Sequence, residues 1–133
     1  MAYTDWEAFG SAVYSALGSA TGAGTVAIYQ GLAPSGTQPP YIVFERIEGI
    51  DEYKFNSDGG VNTEYMVKAI SHDEWPDEAQ ATYAIYHAVF QDARLTITGY
   101  TTLFCRRVRP IGYRDTDNYQ HRGGIYAVEA WRT

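Results

Sequence analysis

A chain of 133 residues, 45% apolar and 20% charged, is long enough for one domain with a buried core. Its formal charge of −6 argues against nucleic-acid binding through an overall electrostatic field. A single cysteine excludes an intrachain disulfide and a cysteine-based zinc site. No stretch reaches the roughly 20 apolar residues of a membrane span. The N-terminus lacks a secretory signal, so a reducing cytoplasm is the expected setting for synthesis.

In chain order, Thr4-Asp5-Trp6-Glu7 has the form of a capping box and predicts a helix over about residues 5–17. Trp6, Phe9, Val13, Ala16 and Leu17 form an apolar stripe suited to packing on a sheet, and Gly18 stops the helix. A short strand over 25–29 leads into the turn-forming run Gly31 to Gly36. Pro39 and Pro40 fix an extended backbone, and Tyr41-Ile42-Val43-Phe44 has the composition of a strand buried on both faces. This strand, over 40–48, turns polar at Glu45 and Arg46 and is expected at the centre of a small sheet.

Gly49 to Gly60 is a long connection of mixed charge and aromatics, and Asp58-Gly59-Gly60 signals a hairpin turn. Residues 50–62 are therefore expected as a protruding β-arm or long loop, a kind of segment that commonly contacts a partner. Residues 61–70 alternate, with Val61, Thr63, Tyr65, Val67 and Ala69 on one face. Pro76, Asp77 and Glu78 suit the start of a helix over 76–93, whose stripe is Ala79, Thr82, Tyr83, Tyr86, Val89, Phe90 and Ala93, with Ile85 beside it. A short strand over 95–97 precedes one over 103–111, in which Arg107 and Arg109 are expected to share a face with Leu103 and Cys105. The last strand covers 119–131, and Gly123-Gly124 predicts a bulge in it. Helix, strands, helix, strands without regular alternation predicts a single α+β domain over 1–133: a mostly antiparallel sheet with both helices on one face.

The residues offer little catalytic chemistry. His72, His87 and His121 lack the spacing of a helical metal site, and the acids of His72-Asp73-Glu74 are expected at a helix start. There is no Gly-x-Ser-x-Gly elbow or phosphate-binding loop, and Gly22-Ala23-Gly24 precedes a strand rather than a helix. Glu45 with Glu48, and Asp51 with Glu52, have nothing beside them to raise a carboxyl pKa. No catalytic, cofactor-binding or metal-ligating residues are expected, and the chain is expected not to be an enzyme. Cys105 reads as a small core residue.

Twelve tyrosines favour surfaces that meet partners. Residues 1–94 hold 13 acids and 4 bases, whereas residues 95–133 hold 3 acids and 6 bases, an asymmetry that allows copies to meet head to tail. The run Arg106, Arg107, Arg109, Arg114 and Arg122, with Tyr113 and Tyr119, is compatible with phosphate contact or with pairing to a neighbour's acids. The second is preferred. The expected interface residues are Asp51, Glu52, Tyr53, Lys54, Phe55, Arg106, Arg107, Arg109, Arg114 and Tyr119.

The N-terminal helix ending in small residues is followed by "VAIYQGLAPSGTQPPYIVFERIEG", a polar arm, "NTEYMVKAIS", "WPDEAQATYAIYHAVFQDA" and a basic, tyrosine-rich pair of closing strands. In this order, over nearly the whole chain, the sequence resembles the tail-completion or tail-terminator proteins of long-tailed bacteriophages. The most specific part is the loop ending in Pro-Tyr-Ile-Val-Phe; none of it is a catalytic signature. The resemblance implies a virion protein that assembles in the host cytoplasm as a sixfold ring at the head-proximal end of the tail. It would stop tube growth and meet the tail tube protein on one side and the head connector or neck protein on the other. DNA would pass through an acidic lumen without specific binding, and no cofactor or membrane is implied. The short N-terminal helix and the charged 50–62 arm depart from the pattern. Alternatives are a head-completion or neck protein, a tail-tube subunit, and a small ligand-binding or enzymatic α+β domain.

Overall fold

Two helices lie on one face of a five-stranded sheet in the computed structural model, which describes residues 2–22, 25–54, 57–72 and 77–132. The elements are α1 (Ala2–Gly18), β1 (Ile28–Gln30), β2 (Tyr41–Lys54), β3 (Ser57–Ser71), α2 (Asp77–Phe90), β4 (Tyr100–Arg114) and β5 (Gln120–Arg132). The strand order is β1-β2-β3-β5-β4, with β1 parallel to β2 and every other pair antiparallel. The fold class is α+β, as the order of helices and strands without regular alternation predicts.

The core forms where the helix stripes meet the inner face of the sheet. Phe9, Val13 and Leu17 of α1 and Tyr83, Tyr86 and Phe90 of α2 pack over Ile42, Phe44, Tyr65, Val67, Tyr126 and Val128. Each fully buried aromatic or branched side chain contributes roughly 1.5–3 kcal/mol. Edge-to-face contacts of Phe90 with Tyr126 at 4.8 Å and Phe9 with Tyr100 at 5.0 Å set ring orientation. Four of the twelve tyrosines, Tyr65, Tyr83, Tyr86 and Tyr126, are therefore core residues rather than partner contacts. The hydroxyls of Tyr83, Tyr86 and Tyr126 find partners inside the fold; Tyr86 Oη, for example, accepts from Val26 N at 2.8 Å and donates to Val26 O at 3.0 Å.

Several boundaries differ from the sequence-based expectation. α1 begins at Ala2, so Thr4 lies inside the helix instead of capping it. β2 is not central: β3 occupies the middle of the sheet, and β1 covers only Ile42, Val43 and Phe44 of β2's outer edge. Ile42, Val43 and Phe44 are nonetheless buried, as their composition requires. α2 ends at Phe90 rather than near 93, because Asp92 takes a left-handed φ of 61° and its N–H donates to Cys105 O at 2.6 Å. Residues 95–97 join no strand pair. Leu95 and Ile97 are buried, but Leu95 O accepts from Thr102 Oγ1 at 2.6 Å and Ile97 O from Tyr100 N at 2.9 Å.

Asp58, Gly59 and Gly60 do not form the turn of the arm; they belong to β3, whose pairing with β2 closes at Lys54 and Ser57. β5 runs through Gly123 and Gly124 without a bulge, pairing them in register with Lys68 and Val67. Close approach explains the two glycines. A Cβ on Gly123 would collide with the Val67 carbonyl oxygen, and one on Gly124 would lie 2.6 Å from Tyr83 Oη. The irregularities fall instead on β4, between Thr102 and Phe104 and between Arg107 and Arg109.

Candidate functional site

The chain's unlike charges are laid out at the two ends of the sheet. β4 is the terminal strand on one side and carries Arg106, Arg107, Arg109 and Arg114 with no acid between Tyr100 and Arg114. The register shift at Val108 changes which face each arginine uses. Arg107 lies opposite Tyr126 on the helix side with Cys105, whereas Arg109 lies opposite Ile125 on the other face. The expectation that Arg107 and Arg109 share a face is corrected by that one extra residue. The bulge therefore spreads positive charge around both sides of the edge, and residues 106–110 are all exposed.

Part of this edge is anchored from within. Arg107 N donates to Gln91 Oε1 at 2.8 Å, and the Arg107 guanidinium reaches Tyr83 Oη at 3.5 Å. Arg106 lies 4.4 Å from the centre of the Phe104 ring. Cys105 between them is buried, and burial, with Asp92 nearby, pushes its thiol up to about 12.

Towards the opposite end of the sheet, β2 exposes Glu45. β2 holds Glu45, Glu48, Asp51 and Glu52 against Arg46 and Lys54, and Arg46 is withdrawn under α1, 5.8 Å from the centre of the Phe9 ring. Gly31 N donates to Phe44 O at 2.8 Å, and β1 coverage stops there. From Glu45 onward β2 is the sheet's edge among the described residues. The expected arm residues Asp51, Glu52 and Lys54 pair in register with Val61, Gly60 and Ser57, and Tyr53 falls at a register shift. They form a strand-paired continuation of the sheet. Phe55 lies outside the described residues.

The face away from the helices gathers a polar cluster. His121 Nε2 is 2.7 Å from Asp115 Oδ2, its ring stacks on Tyr113 at 4.4 Å, and Lys68 Nζ donates to Tyr113 Oη at 2.7 Å. Tyr119, an expected interface residue, donates its N–H to Asp115 Oδ1 at 3.0 Å and places its ring 5.8 Å from that of His72. Burial lowers the His121 pKa against the raising effect of Asp115. Burial alone would raise the Asp115 carboxyl; hydrogen bonds from His121 and the Tyr119 and Asp117 amides hold it below its usual value. The pair ties the start of β5 to the turn that joins it to β4.

The geometry thus places Arg106, Arg107 and Arg109 together on one edge, Arg114 and Tyr119 near the turn that follows, and Asp51 to Lys54 at the far side of the sheet. Sequence reading passes over Leu32, Ile47 and Val108, which stand exposed at those same edges. Only strand order and bulge position reveal them. Among the described residues, no three His, Cys, Asp or Glu side chains group as metal ligands.

The described fold is thus a sheet backed by helices on one face, with unlike charge on β2 and β4. The family model described as "Tail completion protein gp17" matches residues 11–132, and the chain belongs to that family. It is a structural protein of the bacteriophage tail. Among solved structures, a chain of "Virion of native gene transfer agent (GTA) particle" has the same fold, with a TM-score of 0.78 at 15% identity, covering 91% of this chain and 92% of that one. No curated protein matches the chain by sequence.

Proposed function

We propose that this protein is a tail terminator or tail completion subunit that assembles as a ring at the head-proximal end of the phage tail. There it stops growth of the tail tube and meets the head connector. The observation that carries the reading is the family match across residues 11–132, on a chain whose strands β2 and β4 carry unlike charge. Head-to-tail contact between acidic and basic surfaces generates a ring when the rotation closes. A closed ring has no free surface of either kind in its plane, so lateral growth ends with closure.

Absolute mass by light scattering over a concentration series, with negative-stain images of the largest species, tests this. Closed rings of about six subunits, or monomers that add to the ends of purified tails, are the expected result. Open filaments would identify a tube subunit instead, and a monomer that ignores tails would overturn the reading.

A further inference from the structure

The large apolar side chains left exposed among the described residues are Tyr14, Leu32, Ile47, Val108 and Tyr113. Tyr113 belongs to the His121 cluster, and the other four fall at two places. Leu32 is 87% exposed beside Gly31, where a Cβ would lie 3.9 Å from Glu45 Oε1, and Ile47 is 47% exposed at the bulge two residues beyond Glu45. Tyr14 packs against Phe44 at 6.2 Å on the same side, where Glu7, Tyr14 and Gln30 line a shallow depression. On the opposite edge, Val108 is 48% exposed at the β4 bulge between Arg107 and Arg109.

We infer that the β1–β2 edge, with Leu32, Ile47 and Glu45, docks onto the β4 edge of a second copy, around Val108, Arg106 and Arg109. The inference rests on the ring reading and specifies its contact. Charge on an edge strand is ordinarily a guard against backbone pairing, and β4 has the other guards as well: two bulges and Pro110, which has no N–H to donate. Guarding explains the arginines but not an exposed valine among them, nor an exposed leucine and isoleucine beside the acid of the far edge. Apolar groups rimmed by charge are the composition of an interface. The guards also fix its character: the two edges meet through side chains, not by extending the sheet. Because the surfaces differ and lie at opposite ends, the contact is heterologous, each copy offering both halves.

Charge exchange tests this in the full chain. Glu45→Arg and Arg109→Glu are exposed changes, and each alone sets like charges against each other at every contact. Each should weaken self-association roughly tenfold or more, while the double variant Glu45→Arg/Arg109→Glu regains it. Circular dichroism checks that each single variant remains folded. Oligomers that persist in both single variants would overturn the edge assignment and leave the ring reading standing.

A variant carrying Leu32→Cys and Val108→Cys covers the case in which wild type stays monomeric. Under mild oxidation it should give a ladder of disulfide-linked chains that neither single variant gives, since Cys105 is buried. No ladder from concentrated protein would overturn the inference. A ladder from a protein that forms no ring and ignores tails would uphold the contact while the ring reading fails.

Discussion

Tyr126 Oη lies 2.5 Å from Tyr83 Oη and 2.6 Å from His87 Nδ1, so one hydroxyl joins two side chains of α2 to the middle of β5. The Arg107 guanidinium extends the chain to the β4 edge through Tyr83. Burial, then hydrogen bonding to Tyr83, pushes the Tyr126 pKa far upward, so the phenol stays protonated and serves as a fixed linker. Tyr126→Phe keeps the ring that meets Phe90 and removes only the hydroxyl. It should lower unfolding free energy by about 1–3 kcal/mol in urea titrations, because Tyr83 and His87 are left in a half-buried site with a partner missing. An unchanged midpoint would mean that water replaces the hydroxyl without loss.

Burial, then Arg107, lowers the His87 pKa from its ordinary 6.5, and burial lowers that of His121 as well. Both folded-state values lie below the unfolded value, so the unfolded chain binds more protons as pH falls through that window. Stability therefore rises with pH there, and is lost as pH falls from above the ordinary histidine value of 6.5 towards the lower folded-state values. The Asp115 carboxylate, held below its usual pKa, adds its own loss only at lower pH. A variant with both His87→Gln and His121→Gln should show a flatter dependence of the urea midpoint on pH as the solution is acidified through that range. Equal slopes in wild type and variant would remove the histidines from the explanation.

At the scale of elements, the β2–β3 hairpin is the part whose shape changed most between sequence and structure. Its pairing runs to Lys54 and Ser57, and β3 continues to pair with β5 as far as Gly60 and Trp131. Removing residues 51–59 would join Ile50 to Gly60 and leave the Ile50–Asn62 pair bridged by two residues, a common hairpin length. We expect the shortened chain to keep its circular dichroism and thermal midpoint while failing to form rings or add to tails. Normal assembly would remove the hairpin from the interface.

The helix stripes, the alternation of β3 and the α+β order were legible because each follows a local period that one core face imposes. Strand order was not. Nothing local to Tyr41-Ile42-Val43-Phe44 distinguishes a central strand from one next to an edge whose far side is covered by a three-residue strand. The arginine alternation failed for a related reason: the extra residue at Val108 has no turn-forming signature, while Gly123-Gly124, which has one, answers to steric contact with β3 and Tyr83. The arginines of the candidate interface were found from composition. Their apolar companions needed the edge itself.

For the whole molecule, the same edges bear on how an assembled ring would treat DNA. A free subunit displays the arginines of β4, a basic patch on a chain of formal charge −6. Head-to-tail docking would cover that patch with the acids of the next copy, and six chains would accumulate six times the formal charge of one. Phosphate contacts supply most non-specific affinity for DNA, so an acidic ring with its arginines engaged leaves a duplex nothing to hold, and DNA can pass without sticking. The Glu45→Arg variant, weakened in assembly but intact at β4, should bind a labelled duplex weakly at low salt and release it as salt rises. The assembled wild type should leave the fluorescence anisotropy of the same duplex unchanged at both salt concentrations. Tight, salt-sensitive binding by the assembled protein would show that the β4 arginines stay open in the ring, which would count against both the covered edge and unhindered passage of DNA.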